Sequence, residues 1–314
     1  MVDYFIRRLF TLVVVLLLIS IITFVILNAI PGDPALIILG VEADPDLLDR
    51  LREQLGLNRP LHLQYWYWIS GVVKGDLGSS IHYSVPISSL IVSRLSVTLP
   101  LAALATVLAV MLSIPLGIYA ATHQNRIGDF SSMVLSQLGL SVPSFWIGIL
   151  LIILFAVHLG WFPAGGFTYW SENAVAALKS LLLPALALGV AQAAVLTRIT
   201  RSSMLEVLHE DYIQTARSKG LAERVVIYKH GLKNAFISIL TILGLQIGAL
   251  LTGSIIIENV FSLPGLGRLV LGSIGQRDLP VVQGIVVFFA AMIILINFIV
   301  DILYGYLNPR IRYE

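Results

Sequence analysis

Few side chains in this sequence have chemistry to offer, and their spacing narrows the field further. The six histidines (His62, His82, His123, His158, His209 and His230) never fall three or four residues apart, so no helix turn presents an imidazole pair to a metal ion. Cysteine is absent, which removes thiolate nucleophiles, disulfides and Cys-type metal sites together. Neither H-E-x-x-H, G-x-S-x-G nor G-x-x-x-x-G-K-[ST] occurs, so zinc hydrolysis, a serine elbow and a phosphate-cradling loop all lack their signatures. The run "PGLGRL" at 264–269 follows an apolar stretch rather than a strand and reads as a turn. The chain is therefore not expected to be an enzyme, and it offers no catalytic residue, cofactor site or metal site.

Two carboxylates remain as pointers. Glu258 closes an apolar run in "SIIIENVFSLPGLG", and Asp301 sits late in another in "NFIVDILYGYLNPR", with Asn297 and Tyr304 on its face. Placing an ionised side chain at mid-membrane costs about 2.5–3.5 kcal/mol even on a lenient scale, so each is expected either to cap or bridge helices or to gate a pathway. Both lie near expected water interfaces. The sequence also concentrates charge in "EDYIQTARSKGLAERVVIYKHGLKNA", residues 210–235, although only 12% of the chain is charged and 57% is hydrophobic.

The elements that position these residues follow from the charge-free runs. A hydrocarbon core of roughly 30 Å needs about 20 apolar helical residues. Six runs reach or approach that length, at 9–30, 95–121, 130–161, 180–197, 235–257 and 279–300, the fourth being the shortest. Lipid-exposed backbone must be satisfied within helices or a closed barrel, and these runs lack the alternation of barrel strands. The expectation is an all-α integral membrane protein with six transmembrane helices. The first run is too long for a typical signal-peptide core and is followed by "IPGDPA" rather than a cleavage site, so it reads as a retained helix.

With six spans, Arg7, Arg8, Arg126, Arg198, Arg201, Arg217, Lys219, Arg224, Lys229, Lys233, Arg310 and Arg312 fall on one side, which the positive-inside rule makes the cytoplasm, termini included. The opposite side holds an extracytoplasmic insert, residues 31–94, between helices 1 and 2. Its "DPDLLDRLREQLGL" places Leu47, Leu48, Leu51 and Leu55 at helical spacing with Gly56 as a stop, and Tyr65, Trp66, Tyr67 and Trp68 form an interfacial aromatic cluster. Only packing is expected to hold this insert. The organisation is thus 1–30, 31–94 and a transmembrane core over 95–314 carrying a cytoplasmic loop at 198–234.

That loop reads as two short helices, "DYIQTARSK" and "AERVVIYKH", parted by Gly220 in a left-handed conformation. A solvated connection between spans would look similar. Gly244 and Gly248 in "GLQIG" stand at small-xxx-small spacing, suited to packing between subunits or within the chain.

"QTARSKG", nine further residues and "HGLKN" resemble the EAA loop of binding-protein-dependent ABC importer permeases, whose pattern is E-A-A, three residues, G, nine residues, I-x-L-P. Ala216, Gly220 and Leu232 keep that pattern; Gln214, Thr215, His230 and Lys233 depart from it. Together with "IPGDPA", "QLGLNRPLHLQY", "GDLGSS", "GLQIGALLTGSIIIENVFSLPGLGRL", "RDLPVVQG" and "DILYGYLNPRIRY", nearly the whole chain is similar to the B-type permease subunit of dipeptide, oligopeptide, nickel and glutathione importers. The resemblance implies a type I ABC importer permease fold in a bacterial inner membrane. It implies pairing with a homologous second permease, two ATPase subunits holding ATP and Mg, and an extracytoplasmic solute-binding protein; nucleic acid is not an expected partner. It assigns Asp211, Tyr212, Gln214, Thr215, Ala216, Arg217, Lys219, Gly220, Leu221, Glu223 and Arg224 to ATPase coupling, and places Glu258 at the outer mouth. Peptides, glutathione-like ones included, are the expected cargo, with nickel or another small solute as the alternative. A stand-alone secondary transporter or channel is the competing class; it should show repeated, interrupted helices and mid-membrane ion ligands.

Overall fold

A computed structural model describes residues 2–29, 32–40 and 43–307 of the chain, with side chains from 7 to 302. Among these the chain is helical, and its one β-bridge pairs Ser79 with Pro86. The helices are α1 (Val2–Ala29), α2 (Pro34–Leu39), α3 (Pro45–Gln54), α4 (Leu61–Val73), α5 (Ile87–Thr122), α6 (Ile127–Ser141), α7 (Ser144–Leu151), α8 (Ala174–Leu208), α9 (Asp211–Ser218), α10 (Glu223–Val225), α11 (Lys233–Val260), α12 (Leu266–Gly275) and α13 (Leu279–Leu307). Wider π-helical turns continue α7 over Ile152–His158 and join α10 to α11 over Val226–Leu232. Among the described residues five helices are long and apolar enough to cross a membrane, or six if the bent pair formed by α6 and the α7 segment counts as one span.

Three expectations need correcting. The run at 130–161 is not one straight helix: α6 and α7 meet at 97°. Pro143 has no N–H to donate and drives Val142 to extended backbone (φ −93°, ψ 123°), so the helix stops and restarts. The fourth helix is far longer than 180–197. It starts at Ala174, where Asn173 Oδ1 accepts from the amides of Val175 and Ala176 at 3.0 Å, and it carries Arg198 and Arg201 inside its last turns rather than in a loop. The second short helix of the polar stretch is not separate either, because Glu223–Val260 runs on as one long helical segment.

The chain divides into two compact units, residues 1–96 with 268–294 and residues 97–267 with 295–314. In the first, α4 packs on α1 through aromatic rings: Phe24 meets Tyr65 edge-on at 5.4 Å and stacks with Trp68 at 6.1 Å, and Ser20 Oγ lies 2.7 Å from the Tyr65 hydroxyl. Packing is not all that holds the insert. Asp278, 1% exposed, accepts from Ser80 Oγ at 2.5 Å and from the amides of Ile81 and His82 at 3.2 and 3.1 Å. Asp33 caps α2 through the Ala35 amide at 2.9 Å and pairs with Arg52 of α3 at 2.6 Å. Partial burial pushes the Asp33 carboxyl up, but Arg52 and the α2 amides together hold it below its ordinary value. The Gly56 stop after α3 takes φ +70°.

The second unit is built around α8, which packs on α6, α7 and α11. Its core joins Leu101 and Ala105 of α5, Leu181, Leu183 and Leu188 of α8, and Leu250 and Ile257 of α11. Backbones approach closely where side chains are small. A Cβ on Gly189 would stand 3.1 Å from the Ala105 carbonyl, and one on Gly244 would stand 2.6 Å from Val300 Cγ2. Gly244 is thereby used in packing within the chain, while Gly248, one turn on, is half-buried.

Candidate functional site

The polar stretch forms a corner pinned from beneath. In α9 only Ile213 and Ala216 are buried, at 0% and 7% exposure, and they join Ile118 and Ala121 of α5, Met204 and Leu208 of α8, Val226 and Ala235 in one apolar cluster. Asp211 in the first turn and Arg217 in the last complement the helix dipole. The end of α9 is a Schellman motif: the Gly220 amide donates to the Arg217 carbonyl at 2.9 Å and the Leu221 amide to the Ala216 carbonyl at 3.4 Å. This geometry needs a left-handed residue, and Gly220 supplies it at φ +77° with no atom within 4 Å of where a Cβ would stand. Across the corner Arg217 donates to both carboxylate oxygens of Glu223, at 3.2 and 2.8 Å, and Asn234 Nδ2 donates to the Tyr212 hydroxyl at 3.0 Å.

The remaining residues predicted here, Asp211, Tyr212, Gln214, Thr215, Arg217, Lys219, Gly220, Leu221, Glu223 and Arg224, are all exposed. Apolar residues thus fix the corner to the bundle while its other face stays open, with two aromatic or aliphatic side chains, Tyr212 and Leu221, more than 40% exposed. Beside it lies a polar cavity of about 680 Å³ lined by Gln124, Arg126, His209, Gln214, Arg217 and Glu223 among others. Below the corner the π-helical turn seats Gly231 against Met204 and Leu208 of α8.

Glu258 lies far along α11 from this corner, and the structure revises its surroundings. It is 0% exposed. Its Oε1 accepts from Thr98 Oγ1 of α5 at 2.7 Å, and that hydroxyl in turn accepts from the Leu266 amide at 2.9 Å. The Leu263 amide donates to the Glu258 carbonyl at 2.8 Å. The "PGLG" turn wraps this carboxylate: a Cβ on Gly265 would collide with its oxygens, and one on Gly267 would stand 2.9 Å from Oε2. The carboxylate thus links α5, through Thr98, to the start of α12. We expect Gly265→Ala to destabilise the purified chain by about 1–3 kcal/mol, as overpacking does, and Glu258→Gln to keep the bridge and the wild-type melting temperature in detergent. A Gly265→Ala protein melting as the wild type does would refute the wrapped-carboxylate account. Asp301 is half-buried in α13. Ile30, Pro31, Val41, Glu42 and the closing "NPRIRY" with Arg310 and Arg312 lie outside the described residues, as do the side-chain surroundings of Tyr304.

A buried ion pair lies elsewhere in the second unit, away from the residues predicted to form a site. Asp129 of α6, 5% exposed, receives Arg201 of α8 in a fork, Nε to Oδ1 at 2.5 Å and a terminal nitrogen to Oδ2 at 2.6 Å, and also accepts from the Asn125 amide at 3.0 Å. Asp129 and Arg201 stand 72 residues apart, and no local spacing announces the pair. In the sequence Arg201 is one more basic residue near a span end.

Residues 113–313 match the family described as binding-protein-dependent transport system inner membrane component, and residues 1–102 match the N-terminal region described for the same membrane components. Over 314 residues, covering all of both chains, the sequence is 45% identical to the glutathione transport system permease protein GsiC of Salmonella typhimurium (strain LT2) and to that of Escherichia coli (strain K12). Among solved structures, the inward-facing MetNI methionine ABC transporter is similar with a TM-score of 0.57 at 18% identity, over 70% of this chain and 96% of that one. An amino acid ABC transporter solved with histidines gives a TM-score of 0.50 at 18% identity, over 71% and 95% of the two chains. The fold is therefore that of an ABC importer permease, and the apolar helices are the spans of a multi-pass inner-membrane protein. The chain belongs to the binding-protein-dependent transport system inner membrane component family.

Proposed function

We propose that this chain forms half of the translocation pathway of an ATP-driven importer for dipeptides and oligopeptides, glutathione-like peptides included, and that the α9 corner couples it to the ATPase. The observation that carries the coupling reading is the division of α9 into a buried edge, Ile213 and Ala216, and an exposed face from Tyr212 to Arg224. A short helix so anchored passes a push from a soluble partner to α8 and α11 as rigid-body movement, whereas a floppy loop would absorb it. ATP binding moves the permease only insofar as it favours one conformation of the assembly over another. The exposed basic groups Lys219 and Arg224 offer electrostatic complementarity to an acidic partner groove. The names of the full-length relatives support the peptide cargo.

In this reading the chain pairs with a homologous second permease, its termini face the cytoplasm, two ATPase subunits hold ATP and Mg, and a solute-binding protein delivers the cargo from the other side. No chemistry is asked of this chain's own residues. The test is purification of the tagged chain from its native membrane in mild detergent with mass spectrometry of what accompanies it, followed by peptide uptake in proteoliposomes. A second permease and ATPase subunits should co-purify, and uptake should require ATP. A homo-oligomer whose uptake follows the proton gradient would overturn the reading in favour of a secondary transporter. An ATPase assembly that imports nickel and no peptide would leave the coupling standing and overturn the cargo.

A further inference from the structure

The first unit carries a half-open cavity of about 360 Å³ where the end of α1, the turn after α3, α4 and the start of α13 come together. That volume falls within the range of about 300–1,000 Å³ usual for small-molecule sites. Phe24, Leu27, Trp68 and Leu279 give it apolar walls. Its charged and amide-bearing lining residues are Asn28, Arg59, Gln64 and Gln283, with no carboxylate among the described residues.

Two of these side chains are already engaged. Asn28 Nδ2 donates to the Phe24 carbonyl at 2.9 Å, and Gln64 Nε2 donates to the carbonyls of Leu57 and Arg59 at 3.1 and 2.8 Å, which fixes the turn that carries Arg59. Gln283 differs. It is 9% exposed, and its Nε2 is buried with no hydrogen-bond partner among the described residues. An amide donor left unsatisfied in apolar surroundings is expensive, so an acceptor atom entering this cavity gains more than it would at the surface. The Arg59 guanidinium lies over the Tyr67 ring, 4.6 Å from its centroid, and makes no ion pair among the described residues. The cavity thus offers one fixed positive charge, one unused donor and hydrocarbon walls.

The same elements identify the occupant. Along α1, Leu18, Ile22, Val25 and Ile26 are each more than half exposed, as a surface turned to hydrocarbon would be, and Asn28 ends that apolar run. On α4, Trp66 and Tyr67 are 66% and 59% exposed, the residue types that sit at headgroup depth. A cavity at the end of a lipid-facing helix beside an interfacial aromatic belt meets molecules with an anionic head and apolar chains. We propose that it binds one anionic phospholipid, with the phosphate at Arg59, an ester carbonyl accepting from Gln283 Nε2, and the first chain carbons against Phe24, Leu27 and Leu279. A peptide segment of a soluble partner fits less well, because its polar backbone would have to be desolvated against the Phe24, Leu27 and Leu279 walls.

The test uses the assembly as purified, with phosphatidylglycerol as the probe and native mass spectrometry after graded delipidation as the readout. One phosphatidylglycerol per copy of this chain should survive washing that strips bulk lipid, and glycerol phosphate without chains should not replace it. Gln283→Leu and Arg59→Gln should each lower retention about tenfold, as loss of a hydrogen bond to a charged or buried group does. Lys74→Gln, which removes a charge from the same segment at an exposed position outside the cavity, should leave retention unchanged. If Gln283→Leu fails to assemble, Arg59→Gln at its exposed site carries the test. Equal retention in wild type and Arg59→Gln, an equal fall in Lys74→Gln, replacement by glycerol phosphate alone, or a photoreactive residue at Leu279 that captures protein instead of lipid would each overturn the proposal.

Discussion

Gly220→Val is expected to lower ATP-driven uptake about tenfold or more while the assembly forms in normal yield. Nothing lies within 4 Å of a Cβ at this position, so the added side chain meets open space and the bundle beneath is undisturbed. The penalty is conformational. A left-handed φ of +77° costs a β-branched residue about 1–2 kcal/mol, and relieving it unwinds the Schellman bonds to Arg217 and Ala216. A bias of that size changes the ratio of correctly angled to unwound corner by a factor of about ten. Gly220→Asn separates this account from simple intolerance, since asparagine enters the left-handed region readily and should keep most of the uptake. Bulk at Ala216 should act through a different route, by lifting α9 off Met204 and Val226. The measurement is peptide uptake in proteoliposomes alongside ATP hydrolysis by the same preparations. Hydrolysis that persists without uptake marks uncoupling, and wild-type uptake by Gly220→Val would remove the corner from the mechanism.

Why this corner could be read from the sequence, and the ion pair at Asp129 could not, has a physical reason. The features of α9 are local: a carboxylate in the first turn, a cation in the last, apolar residues three apart at Ile213 and Ala216, and a glycine where the chain must turn left-handed. Long apolar runs are legible for the same reason, because membrane thickness sets their length whatever they pack against. The break between α6 and α7 was also written locally, in Val142–Pro143, but hydropathy averaged over a window passes through a proline without notice. Glu258 showed itself as an odd carboxylate at the end of an apolar run, yet its burial depends on Thr98 from another helix and on two glycines beyond the turn. Asp278 and Gln283 stand within the family motif "RDLPVVQG", but nothing local marks either as buried. Their significance comes from a buried surface assembled from segments nearly 200 residues apart in the chain, such as Ser80 with Asp278.

Arg201→Met should be the most destabilising of the substitutions considered, by about 3–5 kcal/mol, because it leaves the Asp129 carboxylate buried between α6 and α8 without its partner. The geometry is near the best such a pair can have, with two parallel contacts and a third from the Asn125 amide. That does not make the pair a large net source of stability, since desolvating both ions cancels much of their attraction. Removing one partner and removing both therefore test different quantities. Asp129→Leu combined with Arg201→Met should recover most of the melting temperature lost by Arg201→Met alone, measured on the detergent-solubilised chain. Function should not recover with it. The fork ties the first turn of α6 to the end of α8 that carries Met204 and Leu208, the residues on which α9 rests. A leucine–methionine contact restores cohesion but allows the two helices to slide, so uptake per ATP hydrolysed should stay below wild type in the double variant. If the double variant melts no higher than Arg201→Met, the pair is a net stabiliser. If it transports as the wild type does, the pair has no part in holding α8 for the coupling helix.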